Sequence, residues 1–218
     1  MGSPKTAPRA SYHHGDLRNA LMDSAVELAR AGGPEAVVLR EVARRVGVSA
    51  TAAYRHFSAA DELFGEVKQA ALARLAESIE RAVGAVPDEG DPGDVAVARL
   101  RASAEGYLDF AFSEPGLFQT AFHHDDHKVD PADAADDMSF SDSAAFQTFS
   151  RLLDEVLAAG RMAPHCRAGA EVAGWSMVHG FAVLGTEGPL GRHLSPQMMA
   201  FVRQRTIDVV MRGLTAQD

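Results

Sequence analysis

Seven residues between positions 40 and 56, Arg40, Ser49, Ala50, Thr51, Tyr54, Arg55 and His56, combine side chains that suit the surface of a nucleic acid. The planar fork of Arg40 matches the two acceptors that guanine presents in a major groove. Tyr54 and His56 can donate to phosphate oxygens, and Arg55 can pair with a phosphate. The small Ser49, Ala50 and Thr51 would let a backbone come close to base edges. Such chemistry needs a scaffold that holds all seven on one side.

The stretch LREVARRVGVSATAAYRHF (39–57) supplies one. Leu39, Val42, Ala43 and Val46 recur at i, i+3, i+4 and i+7, the stripe of a helix of about two turns. Gly47 can take positive φ without a Cβ penalty, so the chain turns there and lets Val48 dip inward. Ser49 is a cap for a second helix that carries Ala52, Ala53 and Phe57 inward and leaves Ala50, Thr51, Tyr54 and Arg55 outward. Ala43, four residues before the glycine, is small enough for two helices to cross steeply. This is helix-turn-helix spacing, against the plainer reading of an ordinary helical hairpin with a solvated face. Upstream, Leu17, Ala20, Leu21, Ala25 and Leu28 predict a helix stopped at Gly32-Gly33-Pro34. Downstream, Ser58 to Asp61 reads as a capping box opening a helix of about six turns through Leu63, Phe64, Val67, Ala71, Leu75 and Ile79.

With these residues in view, Tyr12 to about Phe64 resembles the N-terminal DNA-binding domain of the tetracycline-repressor (TetR) family of transcriptional regulators; YHHGDLR, LREVARRVGVS and AAYRHF carry the likeness. The resemblance implies phosphate contacts for Thr51, Tyr54 and His56, and positions facing bases or backbone for Arg40, Ser49, Ala50 and Arg55. The chain departs from many members at Val38, where they carry a capping Ser or Thr, and at Ala60, where they carry a phosphate-binding Lys.

Length and composition bound the rest. A chain of 218 residues, 46% hydrophobic, can bury a substantial core. One cysteine excludes an internal disulfide framework and fits a reducing cytoplasm, and no apolar run is long enough to span a bilayer. The formal charge of −9 is unevenly spread: residues 1–57 hold eight Lys and Arg against five Asp and Glu, net +3, which leaves −12 on residues 58–218. That polarity would orient a basic head toward DNA and hold the acidic body off it. Residues 1–11 lack apolar periodicity and read as a mobile tail, with Lys5 and Arg9 as possible minor-groove contacts.

Beyond the long helix, Pro87 to Asp94 (PDEGDPGD) reads as an exposed linker. Helical stripes follow at Val97 to Phe112, at Leu117 to Phe122 after Glu114-Pro115, at Phe146 to Leu157, at Val172 to Val183, and at Met199 to Leu214 after Ser195-Pro196. Three constellations stand out. Trp175, His179 and Gly180 lie one turn apart on a helix and resemble the Trp-His-Gly signature of a C-terminal domain in one branch of the TetR family; a buried, satisfied histidine beside a tryptophan is the alternative. The aromatic and methionine residues of the body, Tyr107, Phe110, Phe112, Phe118, Phe122, Phe146, Phe149, Trp175 and Met177, are mostly plain core, yet several on separate helices are what an apolar ligand cavity would use. The resemblance implies such a cavity, and Tyr107, Phe110, Phe118, Phe122, Phe149, Trp175 and His179 are its expected ligand residues. His123-His124-Asp125-Asp126-His127 is rich in ligating types but lacks the spacing of a preformed metal site, so a solvated loop is favoured and no metal is assigned.

The expected fold is all-α: tail 1–11, a three-helix DNA-binding head at 12–64, and a helical ligand-binding and dimerisation body at 65–218. The expected function is a cytoplasmic homodimeric repressor on a palindromic double-stranded operator, released by a small apolar effector. No cofactor, membrane partner or catalytic residue is expected, and no nucleophile and base pair argues for an enzyme. By resemblance, the last two helices form the dimer interface through Val172, Val183, Val202, Val209, Val210 and Leu214. The rival is a helical small-molecule carrier or metal-dependent enzyme with a vestigial head, supported by Val38 and Ala60 alone.

Overall fold

The first helical stripe of the sequence closes over the reader segment to build a small apolar centre. In the computed structural model, which describes residues 14–123 and 143–215, helix α1 (His14–Gly32) packs on α2 (Leu39–Val46) and α2 on α3 (Ala50–Ala53). Leu21, Ala25, Leu39, Val42, Ala43, Ala53 and Phe57 are all buried between them. Gly47 takes φ 79°, ending α2 in the left-handed region, and the Val48 N–H returns to the Ala43 carbonyl at 3.0 Å. That is the glycine-terminated helix end that satisfies otherwise orphaned carbonyls. Ser49 accepts the Ala52 N–H at 3.2 Å. Helix α3 is a single turn, and Tyr54 and Arg55 lie on the tighter turn that follows rather than on a continuing helix.

Helix α4 (Ala60–Gly84) runs unbroken through the expected boundary after Phe64 and buries Leu63, Val67, Ala71, Leu72, Leu75 and Ile79. Its start differs from the expected capping box. The cap is Ala59, so the acid three residues on is Glu62 and not Asp61, and Glu62 accepts from both the N–H and the hydroxyl of Ser58 at 2.7 Å each. The linker after it is also shorter than expected. Asp91 accepts the N–H groups of Gly93 and Asp94 at 2.9 and 3.1 Å, and Pro92 is already the first residue of α5 (Pro92–Ser113).

Helix α5 packs along α4, where the Ser78 hydroxyl donates to the Gly106 carbonyl at 2.9 Å. Helices α6 (Pro115–Ala121) and α7 (Ala144–Ala158) cover α4 from other sides, and α8 (Ala170–Thr186) joins α5 and α7. A five-residue α9 (Pro189–His193), which periodicity does not announce, precedes α10 (Pro196–Leu214), capped by Ser195. Among the described residues there are ten α-helices and no strand, as expected for an all-α chain. The buried apolar residues form one connected core from Leu21 to Leu214.

Candidate functional site

The reader surface is built from exposed side chains over a fixed apolar base. Arg40, Thr51, Tyr54 and Arg55 are exposed, Ala50 and His56 are half-buried, and Ser49 is exposed while its oxygen is engaged in the cap. Among the described residues no ion pair engages Arg40 or Arg55. Two cations that the sequence analysis passed over, Arg44 and Arg45, stand on the same exposed side of α2 and are gathered by Glu41, which Arg44 grips through two nitrogens at 2.8 and 2.6 Å. The Arg44 guanidinium, by hydrogen bond and charge, holds the Glu41 carboxyl below its ordinary range. Their i, i+3 and i, i+4 spacing was the available signal. Arg18 locks the base from behind, its guanidinium 4.9 Å above the Phe57 ring and paired with Glu66 of α4. Val38 caps α2 without a side-chain hydrogen bond, the consequence of its type noted in the sequence.

The second site is an aromatic cluster where α5, α6 and α8 meet. The His179 ring lies 4.7 Å from Phe122, 4.9 Å from Trp175 and 5.6 Å from Phe118, and Tyr107 is 5.9 Å from Phe118. The Tyr107 hydroxyl is 2.8 Å from Nδ1 of His179. Burial pushes this hydroxyl well above its ordinary value, and the Trp175 indole acts on it in the opposite sense as a hydrogen-bond donor. With the imidazole hydrogen on Nε2 the Tyr107 hydroxyl donates to Nδ1; with it on Nδ1 the hydroxyl oxygen accepts. Burial keeps the hydroxyl itself protonated at physiological pH.

Two hollows flank this pair. A narrow, almost wholly apolar cavity of about 40 Å³ is lined by Tyr107, Phe149 and Trp175 together with Val178, Val210 and Leu214. An open cleft of about 550 Å³ is lined by Phe118, Phe122, His123, His179 and Glu187, with Pro34 of the head at its edge. Six of the seven expected ligand residues thus border one hollow or the other. Phe110 does not: it is buried in the core and lines neither hollow. Phe146, one of the body's aromatic population, lines the cavity too; Ser103 and Met211, which also line it, were not singled out because in sequence they are ordinary inward positions.

Helix α6 joins this cluster to the reader head. Phe118 stands on it and Phe122 just after it, and its Gly116 lies against the backbone of α1: a Cβ there would fall inside the carbonyl oxygens of Ala29 and Arg30. The Arg30 Nε donates to Glu114 at 2.7 Å beside that contact. The contact between α6 and α1 thus has no soft side chain in it.

The interface candidates separate into two groups. Val172 is 61% exposed and Val209 44%, and Val183 and Val202 are half-buried; Phe201, at 65%, extends their surface with Met198, Met177 and Leu184. Val210 and Leu214 point the other way. They are buried and line the narrow cavity, so they belong to the subunit's own core. Both faces of α10 are apolar, and periodicity alone cannot say which stripe is inward.

Of the His123–His127 cluster only His123 lies within the described residues; its ring packs edge-on to Phe64 at 5.4 Å. Among the described residues no group of three or more His, Cys, Asp or Glu could hold a metal ion. Among them, too, no helix is long and apolar enough to cross a membrane.

Comparison with known proteins bears on both sites. Residues 21–67 match the family model described as bacterial regulatory proteins, tetR family, and residues 100–209 match the tetracyclin repressor-like C-terminal domain. No curated protein matches the chain. Among solved structures, a Rhodococcus sp. RHA1 protein of unknown function is 26% identical with a TM-score of 0.71, covering 95% of this chain and 100% of that one. The TetR family transcriptional regulator PfmR from Thermus thermophilus is 21% identical, TM-score 0.59, with 95% and 100% covered. Mycobacterium smegmatis AmtR shares the fold at 16% identity and a TM-score of 0.52, with 98% and 91% covered. Proteins of the matched family are in general transcription factors rather than enzymes. With half of its length matched by one of these models and its reader segment by the other, the chain belongs to the TetR family of DNA-binding, ligand-responsive transcriptional regulators.

Proposed function

We propose that the chain is a cytoplasmic homodimeric repressor that binds a palindromic operator and is released when a small, largely apolar effector occupies the hollows around Tyr107 and His179. The observation that carries this reading is the direct seating of α6 on α1: the residues assigned to the effector, Phe118 and Phe122, share a rigid element with a backbone contact to the DNA head. In this reading the head comprises residues 12–64, the body residues 65–218, and α4 continues from one into the other. Arg40 reads a base, Ser49 and Ala50 come close to base edges or backbone, and Thr51, Tyr54, Arg55 and His56 hold phosphates. The Trp175, His179 and Gly180 signature supports placing the body in the Trp-His-Gly branch of the family.

The dimer forms through the outward faces of α8 and α10, on Val172, Val183, Val202 and Val209 with Phe201 added. A two-fold axis there sets two reader segments roughly 34–36 Å apart, one helical turn of DNA. Effector binding favours a spacing that does not match that turn, and a coupling of about 1–3 kcal/mol changes operator affinity by 5–150-fold. The test is a gel shift of DNA flanking the chain's own gene. Retardation by the purified protein that survives excess unrelated DNA supports the reading; equal loss to specific and unrelated competitor contradicts it.

A further inference from the structure

The walls of the two hollows restrict the chemistry of what can enter, and this inference rests on the effector reading above. The narrow cavity carries no charged side chain on its lining. Its polar groups are the hydroxyls of Ser103 and Tyr107 and the indole of Trp175. Ser103 donates its hydrogen to the Leu100 carbonyl at 2.7 Å, and the Tyr107 hydroxyl is paired with His179 Nδ1 at 2.8 Å. A charge placed here would lose its hydration and meet no counter-charge. The volume is also small. A cavity of about 40 Å³ is well below the roughly 150 Å³ of an apolar hole that takes benzene. A slim chain of a few carbons suits it; a ring needs Phe149 to move, and that ring is packed onto Gly174, where a Cβ would come within 2.8 Å of it.

The cleft on the other side of the Tyr107–His179 pair is different. Gln119, His123, His179 and Glu187 line it, and Glu187 is the one carboxylate among these lining residues. At the margin the Lys68 ammonium donates to the His123 carbonyl at 3.3 Å. An anionic group in the cleft would face Glu187; a neutral or cationic one would not be opposed.

We propose that the effector is an amphipathic molecule with a short, uncharged, slim apolar end and a polar end that carries no negative charge, the class of an alkyl alcohol or alkyl amine and not of an alkyl carboxylate. The apolar end passes the Tyr107–His179 partition into the cavity, and the polar end stays in the cleft beside Glu187.

Three probes of equal chain length, n-hexanol, n-hexylamine and n-hexanoate, separate the possibilities. Each is titrated into the full-length protein near pH 7.5 while the emission of Trp175, the one tryptophan of the chain, is followed. The expected result is saturable quenching by hexanol and hexylamine, with hexanoate at least tenfold weaker. Glu187→Gln should narrow the hexylamine to hexanoate ratio at least threefold. Hexanoate binding as tightly as hexanol, or failure of all three to perturb Trp175 up to their solubility limits, overturns the proposal, as does a Glu187→Gln variant with an unaltered ratio. A parallel gel shift without probe reports on the regulator reading separately: a protein that shows the selectivity but binds no DNA keeps the ligand class and loses the regulator.

Discussion

Replacing Tyr107 by Phe removes one oxygen from the centre of the aromatic cluster and leaves its shape intact. The hydroxyl is paired with His179 Nδ1 at 2.8 Å. Tyr107 itself is only 5% exposed. An unsatisfied buried polar group costs about 1–3 kcal/mol, and the His179 ring nitrogen loses its partner here. His179 is half-buried on the cleft side, where water can replace part of what is lost. The net loss should therefore stay near the single-group range, about 1–3 kcal/mol. With a urea slope of about 1–3 kcal/mol per molar, the midpoint should fall by roughly 0.5–1.5 M. Urea unfolding followed by Trp175 emission at fixed protomer concentration measures it, since a dimer's stability depends on concentration. His179→Ala alone and combined with Tyr107→Phe completes a cycle, and the double variant should be less destabilised than the sum of the singles. A Tyr107→Phe midpoint within 0.2 M of the parent, on the order of the measurement error, would mean that the hydroxyl is not the hinge of this cluster and that the hydrogen-bond argument fails.

Four further outcomes follow from the same geometry. Gly116→Ala drives a methyl group into the α1 backbone, so it should cost about 1–3 kcal/mol in a urea melt and reduce the ratio of operator affinities measured without and with effector. Phe201→Asp on the exposed face of α10 should give monomers in sedimentation that keep their helicity and lose at least tenfold in operator affinity, because two half-sites are no longer engaged together; Val210→Asp should instead unfold the chain, since Val210 is core. Tyr54→Phe and His56→Ala should weaken binding to all DNA sequences alike, as titrations on operator and unrelated duplexes would show. The Glu171 carboxyl, although burial raises it, is held below its ordinary 4.5 by hydrogen bonds from its own backbone and Ser150 and by Arg167. Its contribution is thus complete above that value and is lost as pH falls through the lowered one. Urea midpoints should stay level from pH 7 to about 5 and decline below, and Glu171→Gln should soften the decline.

The reader head was legible in the sequence because each of its devices is local. Gly47 ends a helix by its own backbone freedom, Ser49 caps by reaching three residues on, and the inward Val42, Ala43, Ala53 and Phe57 follow from spacing within two short helices. The body was legible as helices and less so as surfaces. Helix α10 has one apolar stripe at Ile207, Val210, Met211 and Leu214 and another at Met198, Phe201 and Val209; only the packing of α5 and α8 decides that the first is core. Phe110 differs from Tyr107 by one helical turn and not by type, so its absence from the hollows depends on the path of α6. Boundaries moved where a cap competed with a turn signal: Asp91 and Pro92 sit in a run that reads as linker, yet together they start α5. Helix α9 is too short for any period to reveal it.

The claim on which the account rests is that Arg40 and its neighbours read a symmetric DNA site. Selection from a pool of randomised duplexes by the full-length protein tests it most directly, with Arg40→Ala run beside the parent. The account predicts enrichment of an inverted repeat whose half-site centres lie about one helical turn apart, and loss of preference at one position per half-site in Arg40→Ala, equivalent to about 1–3 kcal/mol. Enrichment of no sequence, of a motif without two-fold symmetry, or of the same motif with undiminished preference by Arg40→Ala would contradict it.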